Sequence, residues 1–421
     1  GKVVIFDEVH AYDAYMSTIL ERLLNWLAEM GCTVILLSAT LPESKRKSLV
    51  KAYSGHEDAP YAPYPRITLA SPRRYPDTQA SRNPTCVEIA KDPDKRIALH
   101  IAKSNLETLA DITAQKLKNG GCAAVICNTV NRSIEVYKHL KARLKDTECS
   151  LFHARTLKMW RREREEEVLR KFGKGGRQAD GTYLNADRPE RAVLVATQVI
   201  EQSLDLDFDI MISEIAPIDL LLQRIGRLHR HARRRPEGLE TPQFIVLCDA
   251  NVEGPPPESF GKSIEFVYDR YVLLRTWLVL RQCSEIVLPE EIEALVKAVY
   301  DESSAAGDEE WGNALSKAKE QMERVRSESE KAANNLFVCW PKAPDDLIEA
   351  FNTQLADDEN PEVHKSVRAA TREGEPSITV VMLPSGKGIS PAPDLSEVRE
   401  LLDRSVKLSH KGLFQILLGM G

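Results

Sequence analysis

The stretch VVIFDEVHAYD, Val3 to Asp13, sets two acids, Asp7 and Glu8, directly after an apolar run, with His10 close behind them. Taken alone, an acid pair after a strand reads as a polar turn, because turns favour Asp. Three further stretches give it chemical weight. LLSATLP, Leu36 to Pro42, puts Ser38, Ala39 and Thr40 at the end of the next predicted strand. VATQVIEQSLDLDFD, Val195 to Asp209, places Thr197, Gln198, Glu201, Gln202 and Asp205 after a later strand. QRIGRLHRH, Gln223 to His231, spaces Arg224, Arg227 and Arg230 along a predicted helix.

These types fit the cleavage of a phosphoanhydride. That reaction needs a metal to neutralise charge, a carboxylate to order metal and water, and cations to meet charge developing on the γ-phosphate. Asp7 can hold magnesium through water, and Glu8 can polarise the attacking water. On a helix, Arg227 and Arg230 share one face, so both guanidinium groups reach the same phosphate. The acids fall in one α/β unit and the arginines in another, so hydrolysis is expected to depend on closing the two together.

The elements that must position these residues follow from hydropathy. Around the first two motifs the chain reads strand, helix, strand, helix: VVIF, MSTILERLLNWLAEM, TVILLSAT and SKRKSLVKAY. Continuous apolar strands alternating with helices indicate a parallel sheet covered on both faces. A proline-rich crossing segment follows, with one edge strand near Arg66 to Ala70. A second α/β unit then contains the helices LETLADITAQKLKNG, RSIEVYKHLKARL, WRREREEEVLRKFG and IDLLLQRIGRLHRH, and the strands AAVICNT, CSLFHA, AVLVAT, IMISE and QFIVLCD. After GPPPES helical signal dominates, and the last part holds the strand SITVVML and the helix LSEVRELLDRSVKL. The resulting division is 1–55, a crossing linker 56–96, 97–250, a helical region 251–335 and a small carboxyl-terminal domain 336–421.

Composition limits the alternatives. The 421 residues exceed one ordinary core, and no apolar run is long enough for a transmembrane helix. The eight cysteines are scattered, without CxxC spacing, which argues against zinc knuckles and disulfides and fits a reducing cytoplasm. Net charge is −6, so any polyanion contact must come from local patches.

The motifs DEVH, SAT, ATQVIEQSLD and QRIGRLHRH, in this order, resemble motifs II, III, V and VI of superfamily 2 helicases. The fuller forms DEVHAYD, LSATLP, ATQVIEQSLDLDFD and LLQRIGRLHRH resemble the CRISPR-associated helicase and nuclease of type I systems. FHARTLKMWRREREEEVLRKFG and TREGEPSITVVML resemble further segments of that family. The resemblance implies tandem RecA-like domains, the first truncated, followed by a helical segment and a small carboxyl-terminal domain. It implies an ATP-driven translocase on single-stranded DNA, recruited by an RNA-guided surveillance complex and working with a histidine-aspartate nuclease domain. The family roles it carries over are Asp7 and Glu8 for Mg2+ and water, and His10 and Gln223 for linking ATP to the interdomain contact. Ser38 and Thr40 couple hydrolysis to movement, and Asp205, Arg227 and Arg230 face the nucleotide. By the same resemblance Asn128, Thr129 and Thr197 are expected to touch the DNA backbone, while His153 and Arg155 read equally as DNA contacts or as local structure.

The sequence departs from the family's pattern in lacking G-x-x-x-x-G-K-[ST]. The phosphate-cradling loop and the nuclease domain are therefore expected upstream of Gly1, and this chain alone is not expected to hydrolyse ATP or cut DNA efficiently. The rival readings are a general superfamily 2 DNA or RNA helicase and a nucleic-acid-binding fragment without turnover. Plainer readings apply elsewhere: Arg233, Arg234 and Arg235 as surface, the helix from Trp160 to Phe172 as solvent-facing, Trp277, Trp311 and Trp340 as core or interface, and the cysteines as buried or incidental.

Overall fold

The computed structural model describes residues 2–57, 60–73, 83–201, 204–301, 309–334, 378–383 and 394–408. Gln202, Trp340, Cys339 and most of the region 336–421 lie outside the described residues. The chain divides into two units, one of residues 1–95 with 287–373, the other of residues 96–286 with 374–421.

In the first unit β1 (Val3–Phe6) pairs in parallel with β2 (Thr33–Leu36). Between them runs α1 (Ala14–Glu29), started by Asp13, whose carboxylate accepts from Met16 N at 2.8 Å. Leu20 and Leu24 of α1 meet Val9, Leu49 and Ala52, the last two on α2 (Glu43–Ser54), with Phe6, Val34 and Leu36 packed against them. The sequence suggested strands buried throughout, but β1 and β2 alternate: Val3, Ile5 and Ile35 are exposed while Phe6, Val34 and Leu36 face the helices. Strand side chains alternate faces, and among the described residues only one face of this pair is covered.

The crossing segment holds a hairpin rather than a single edge strand: β3 (Arg66–Leu69) pairs antiparallel with β4 (Thr85–Glu88). Glu43 on α2 pairs with Arg46 at 2.5 Å and Arg66 at 3.4 Å, and Arg66 also meets Glu293 at 2.9 Å. Glu293 belongs to α9 (Ile292–Tyr300), which with α10 (Glu309–Asn334) is part of this unit.

The second unit is built on a seven-stranded sheet ordered β13-β5-β12-β11-β6-β10-β7. These strands are β5 (Lys95–Ala102), β6 (Gly121–Ile126), β7 (Glu148–Phe152), β10 (Arg191–Ala196), β11 (Ile210–Glu214), β12 (Gln243–Leu247) and β13 (Glu285–Leu288). The ladders from β5 to β7 are parallel. The central strands β6 and β11 are buried at every residue, which is why they read as uninterrupted apolar runs. The helices α3 (Leu106–Lys116) and α4 (Val130–Arg143) place Leu109, Val136 and Leu140 against Val125, Val193 and Ile212. A small hairpin, β8 (Gly176–Arg177) with β9 (Tyr183–Leu184), follows α5 (Lys158–Phe172), a largely solvent-facing helix that buries only Val168 and Phe172.

Two helices end earlier than their patterns suggest. The pattern through IDLLLQRIGRLHRH stops as α6 (Ile218–Ile225). Beyond Gly226 the backbone is drawn away to pair with Phe208: Phe208 N donates to Arg227 O at 3.0 Å and His229 N to Phe208 O at 3.0 Å. His229 takes a left-handed conformation, φ 46°. Arg227 and Arg230 therefore do not share a helical face. Likewise LSEVRELLDRSVKL gives α11 (Leu395–Asp403) and then a strand, β15 (Ser405–Leu408), paired antiparallel with β14 (Ile378–Val381). The remaining helices are α7 (Lys262–Val267) and α8 (Arg270–Leu280), which buries Trp277 completely.

Candidate functional site

The first cluster forms where β1 and β2 end. Asp7 is exposed, and Glu8 follows in a left-handed conformation, φ 54° and ψ 41°, uncommon for any residue but Gly. Glu8 N donates to Asp7 Oδ1 at 2.9 Å, which leaves the second oxygen of Asp7 directed elsewhere. The turn brings His10 back between two motifs, its Nε2 3.2 Å from Glu8 Oε2 and its Nδ1 3.1 Å from Ser38 Oγ. Ser38 Oγ in turn donates to Thr40 O at 3.4 Å. The His10 side chain is nearly inaccessible, while that of Glu8 is 35% exposed, so a buried imidazole holds a carboxylate open to a ligand. The Thr40 hydroxyl is buried and meets no hydrogen-bond partner among the described residues. Glu8, His10, Ser38 and Thr40 thus form one continuous polar line from the acid loop to the loop after β2.

Magnesium is the ion these acids imply. Among the described residues no three His, Cys, Asp or Glu side chains gather as a metal cage. An exposed aspartate beside a half-open glutamate fits an ion that keeps several waters and takes its other oxygens from phosphates.

The second cluster lies after β10 and α6. Arg224 is fully buried: its Nε donates to Glu201 Oε1 at 2.7 Å and its Nη1 to Ser213 Oγ at 2.7 Å, with Asn128 Oδ1 and Tyr268 OH within 3.3 Å. Burial pushes the Glu201 carboxyl up, and Arg224 offsets part of that rise. Arg227 Nη2 donates to Glu201 O at 2.7 Å. Arg230 is separate from these, its Nε 2.7 Å from Asp205 Oδ1, with His231 Nε2 2.9 Å from the same oxygen. Burial works to raise the Asp205 carboxyl, but His231 and Arg230 outweigh it and hold Asp205 below its ordinary value. The Arg230 and Asp205 side chains are 40% and 47% exposed, so this pair can exchange partners with an incoming anion. Gln223 sits on α6, one position before Arg224.

Arg233 and Arg235 are not surface residues. Their side chains are 6% exposed and meet Asp207 and Asp209: Arg235 lies 2.9 Å from Asp207 and 2.6 Å from Asp209, while Arg188 closes on Asp209 at 2.9 Å. Arg233 Nε forms an ion pair with Asp207 Oδ2 at 2.5 Å. Only Arg234 of the three is exposed.

A cleft of about 600 Å³ opens beside this cluster, lined in part by Asn128, Thr129, Phe152, Arg155, Arg161, Thr197 and Gln198. The four residues assigned to nucleic acid differ here. Thr129 caps α4, accepting from Arg132 N at 3.3 Å, and its hydroxyl hydrogen can still be donated. Thr197 borders the cleft at the end of β10. The Asn128 side chain is committed inward, donating to Ile215 O at 2.8 Å and accepting from Arg224 and Tyr268. His153 is buried, and burial together with Arg164 and Arg155 lowers its basicity, so it is not a ready cation for phosphate.

Residues 119–233 match the family described as CRISPR-associated nuclease/helicase Cas3, C-terminal. A CRISPR-associated endonuclease/helicase Cas3 from Thermus thermophilus is 33% identical over 441 aligned positions, covering 91% of this chain and 44% of that protein. The chain belongs to the Cas3 family. It spans less than half the length of the curated relatives it matches. Among solved Cas3 structures, that of T. fusca Cas3 with ATP superimposes at a TM-score of 0.75, with 29% identity over 97% of this chain and 47% of that one. A chain of a CRISPR RNA-guided surveillance complex, pre-nicking, gives a TM-score of 0.72 and 29% identity over 97% of this chain and 50% of that one. The fold is accordingly the α/β, RecA-like helicase architecture of Cas3.

Tyr268 was not evident from sequence. It is the hub at which Arg224, Gln198 and Asn128 meet, at 3.2, 3.1 and 3.3 Å, and no motif surrounds it.

Proposed function

We propose that the chain carries the motor of an ATP-driven translocase that moves along single-stranded DNA in type I CRISPR interference. Glu8 polarises the attacking water, and Asp7 orders the magnesium shell. Bound magnesium supplies charge neutralisation at the transferring phosphate. Arg230, released from Asp205, meets charge developing on the γ-phosphate, while Arg227, held to the Glu201 carbonyl, approaches the nucleotide from a separate position, with Gln223 in support. The observation that carries the reading is the polar line from Glu8 through His10 to Ser38. It ties the group that would act on water to the loop after β2, which is what coupling hydrolysis to movement requires.

Thr129 and Thr197 donate to phosphate oxygens of the strand, contacts that position without reading sequence. The T. fusca Cas3-ATP structure and the similar chain of a CRISPR RNA-guided surveillance complex favour ATP and an RNA-guided complex over a general helicase role. The histidine-aspartate nuclease belongs to the same proposal as a partner domain, as does work in a reducing cytoplasm. In support, the seven cysteines among the described residues are all free thiols. No helix among those residues is long and apolar enough to cross a membrane. The domain division 1–55, 56–96, 97–250, 251–335 and 336–421 stays a proposal about function: motor halves, crossing linker, helical connection and accessory domain.

The test is ATP turnover of the full-length protein with and without single-stranded DNA. Turnover should rise when the strand is added, and a rate indifferent to the strand would refute the translocase reading.

A further inference from the structure

The residue at the rim of the cleft that departs most from ordinary surface chemistry is Phe266. It lies on α7, outside every helicase motif, and 87% of its surface is exposed, with Val267 beside it at 40%. A phenyl ring left in water forgoes the burial that usually holds such a residue, and at the edge of a cavity its face is open to a ligand lying in that cavity. The cleft indicates what that is. Arg155 and Arg161 are exposed on its wall and form no ion pair among the described residues, and Thr129 and Thr197 line the same space, Thr197 only 3% exposed. Two guanidinium groups against the single carboxylate of Glu165 on the same wall, with two threonines, match a phosphodiester backbone, whereas an apolar protein segment would leave them unpaired.

We infer that Phe266 is a base-stacking platform for single-stranded nucleic acid, its ring taking the face of one base while Arg155, Arg161, Thr129 and Thr197 hold the adjoining phosphates. The inference rests on the translocase reading and adds a residue to it. Stacking on an aromatic ring tolerates any base, because every base presents a π-face, and so suits a motor that must not read sequence.

The experiment is fluorescence anisotropy of the full-length protein with a labelled single strand, intact or carrying abasic positions, for the wild type, Phe266→Ala and Phe266→Tyr. Phe266→Ala is expected to weaken the intact strand on the order of tenfold and to leave the abasic strand unchanged, with Phe266→Tyr restoring the affinity. A 2-aminopurine base in the strand, quenched by the wild type, should stay bright with Phe266→Ala. Because the ring is exposed, the melting temperature of Phe266→Ala should match the wild type. If Phe266→Ala binds the intact strand like the wild type, or weakens intact and abasic strands equally, the stacking role is overturned and Phe266 is a protein-docking or scaffold residue. In either case the translocase reading stands as long as the wild type binds the strand. If the wild type itself binds no single-stranded DNA, both that reading and this inference fail.

Discussion

Arg224 and Arg230 stand in one basic motif and look equivalent in sequence, yet the structure gives them opposite surroundings, whose consequences mutation can separate. The Arg224 side chain is 0% exposed and that of its partner Glu201 is 4% exposed, with Ser213, Asn128 and Tyr268 bonded to the same guanidinium. Removing one member of a buried pair leaves the other uncompensated, at a cost of about 3–5 kcal/mol. For a unit of this size that corresponds to a fall of roughly 10 °C in melting temperature. Arg230 and Asp205 are 40% and 47% exposed, and pairs of that kind contribute at most about 1 kcal/mol. Arg230→Ala should therefore melt within roughly 3 °C of the wild type. Yet it should lose on the order of 10³ in strand-stimulated ATP turnover, as expected for a residue meeting charge on the γ-phosphate. Calorimetry with a coupled ATPase assay on the full-length protein reads both. An Arg224→Ala protein that melts like the wild type, or an Arg230→Ala protein destabilised as severely, would refute this partition.

His229 gives a pH prediction: burial, then Arg235, pushes its pKa down to about 4 from an ordinary 6.5. The unfolded chain then binds the extra proton between those values, so stability is intact above about 6.5 and falls by about 3 kcal/mol as pH drops to about 4. His229→Asn, which tolerates the left-handed backbone, should flatten that part of a denaturant-melt series against pH. Gly175 has φ +76°, and an added Cβ would lie 2.4 Å from Leu184 O, so Gly175→Ala should destabilise by about 1–3 kcal/mol in the same melts. Gly181→Ala, at φ +84° with nothing near, should cost less.

The apolar runs made much of the second unit legible: AAVICNT, AVLVAT and IMISE became β6, β10 and β11 because strands buried on both faces have no polar positions to confuse the period. β5 and β13 escaped notice because KRIALHIA and EIVL alternate only partly and carry charges. The placing of Asp7 and Glu8 after β1, and of Ser38 and Thr40 after β2, could be anticipated, since the apolar runs fix where those strands end, but the contact of His10 with Ser38, 28 residues away, is made by the fold. The arginine cluster could not, because a helical period was extended past Gly226 although the tertiary pairing of Phe208 with Leu228 takes the backbone away. A signal was nonetheless present. Asp205, Asp207 and Asp209 recur every second residue, as do His231, Arg233 and Arg235, and the structure pairs 205 with 231, 207 with 233 and 235, and 209 with 235. Period-two charges of opposite sign mark two extended segments lying side by side. Tyr268 left no such trace, being brought to Arg224 by the fold alone.

The measurement closest to the central claim is ATP turnover by Glu8→Gln in the full-length protein with single-stranded DNA present, alongside nucleotide affinity. Gln keeps the size of the side chain and its reach to His10 while removing the charge that polarises water. Affinity should stay near wild type while turnover falls by about 10² to 10⁴. Turnover equal to that of the wild type would contradict the role given to Glu8.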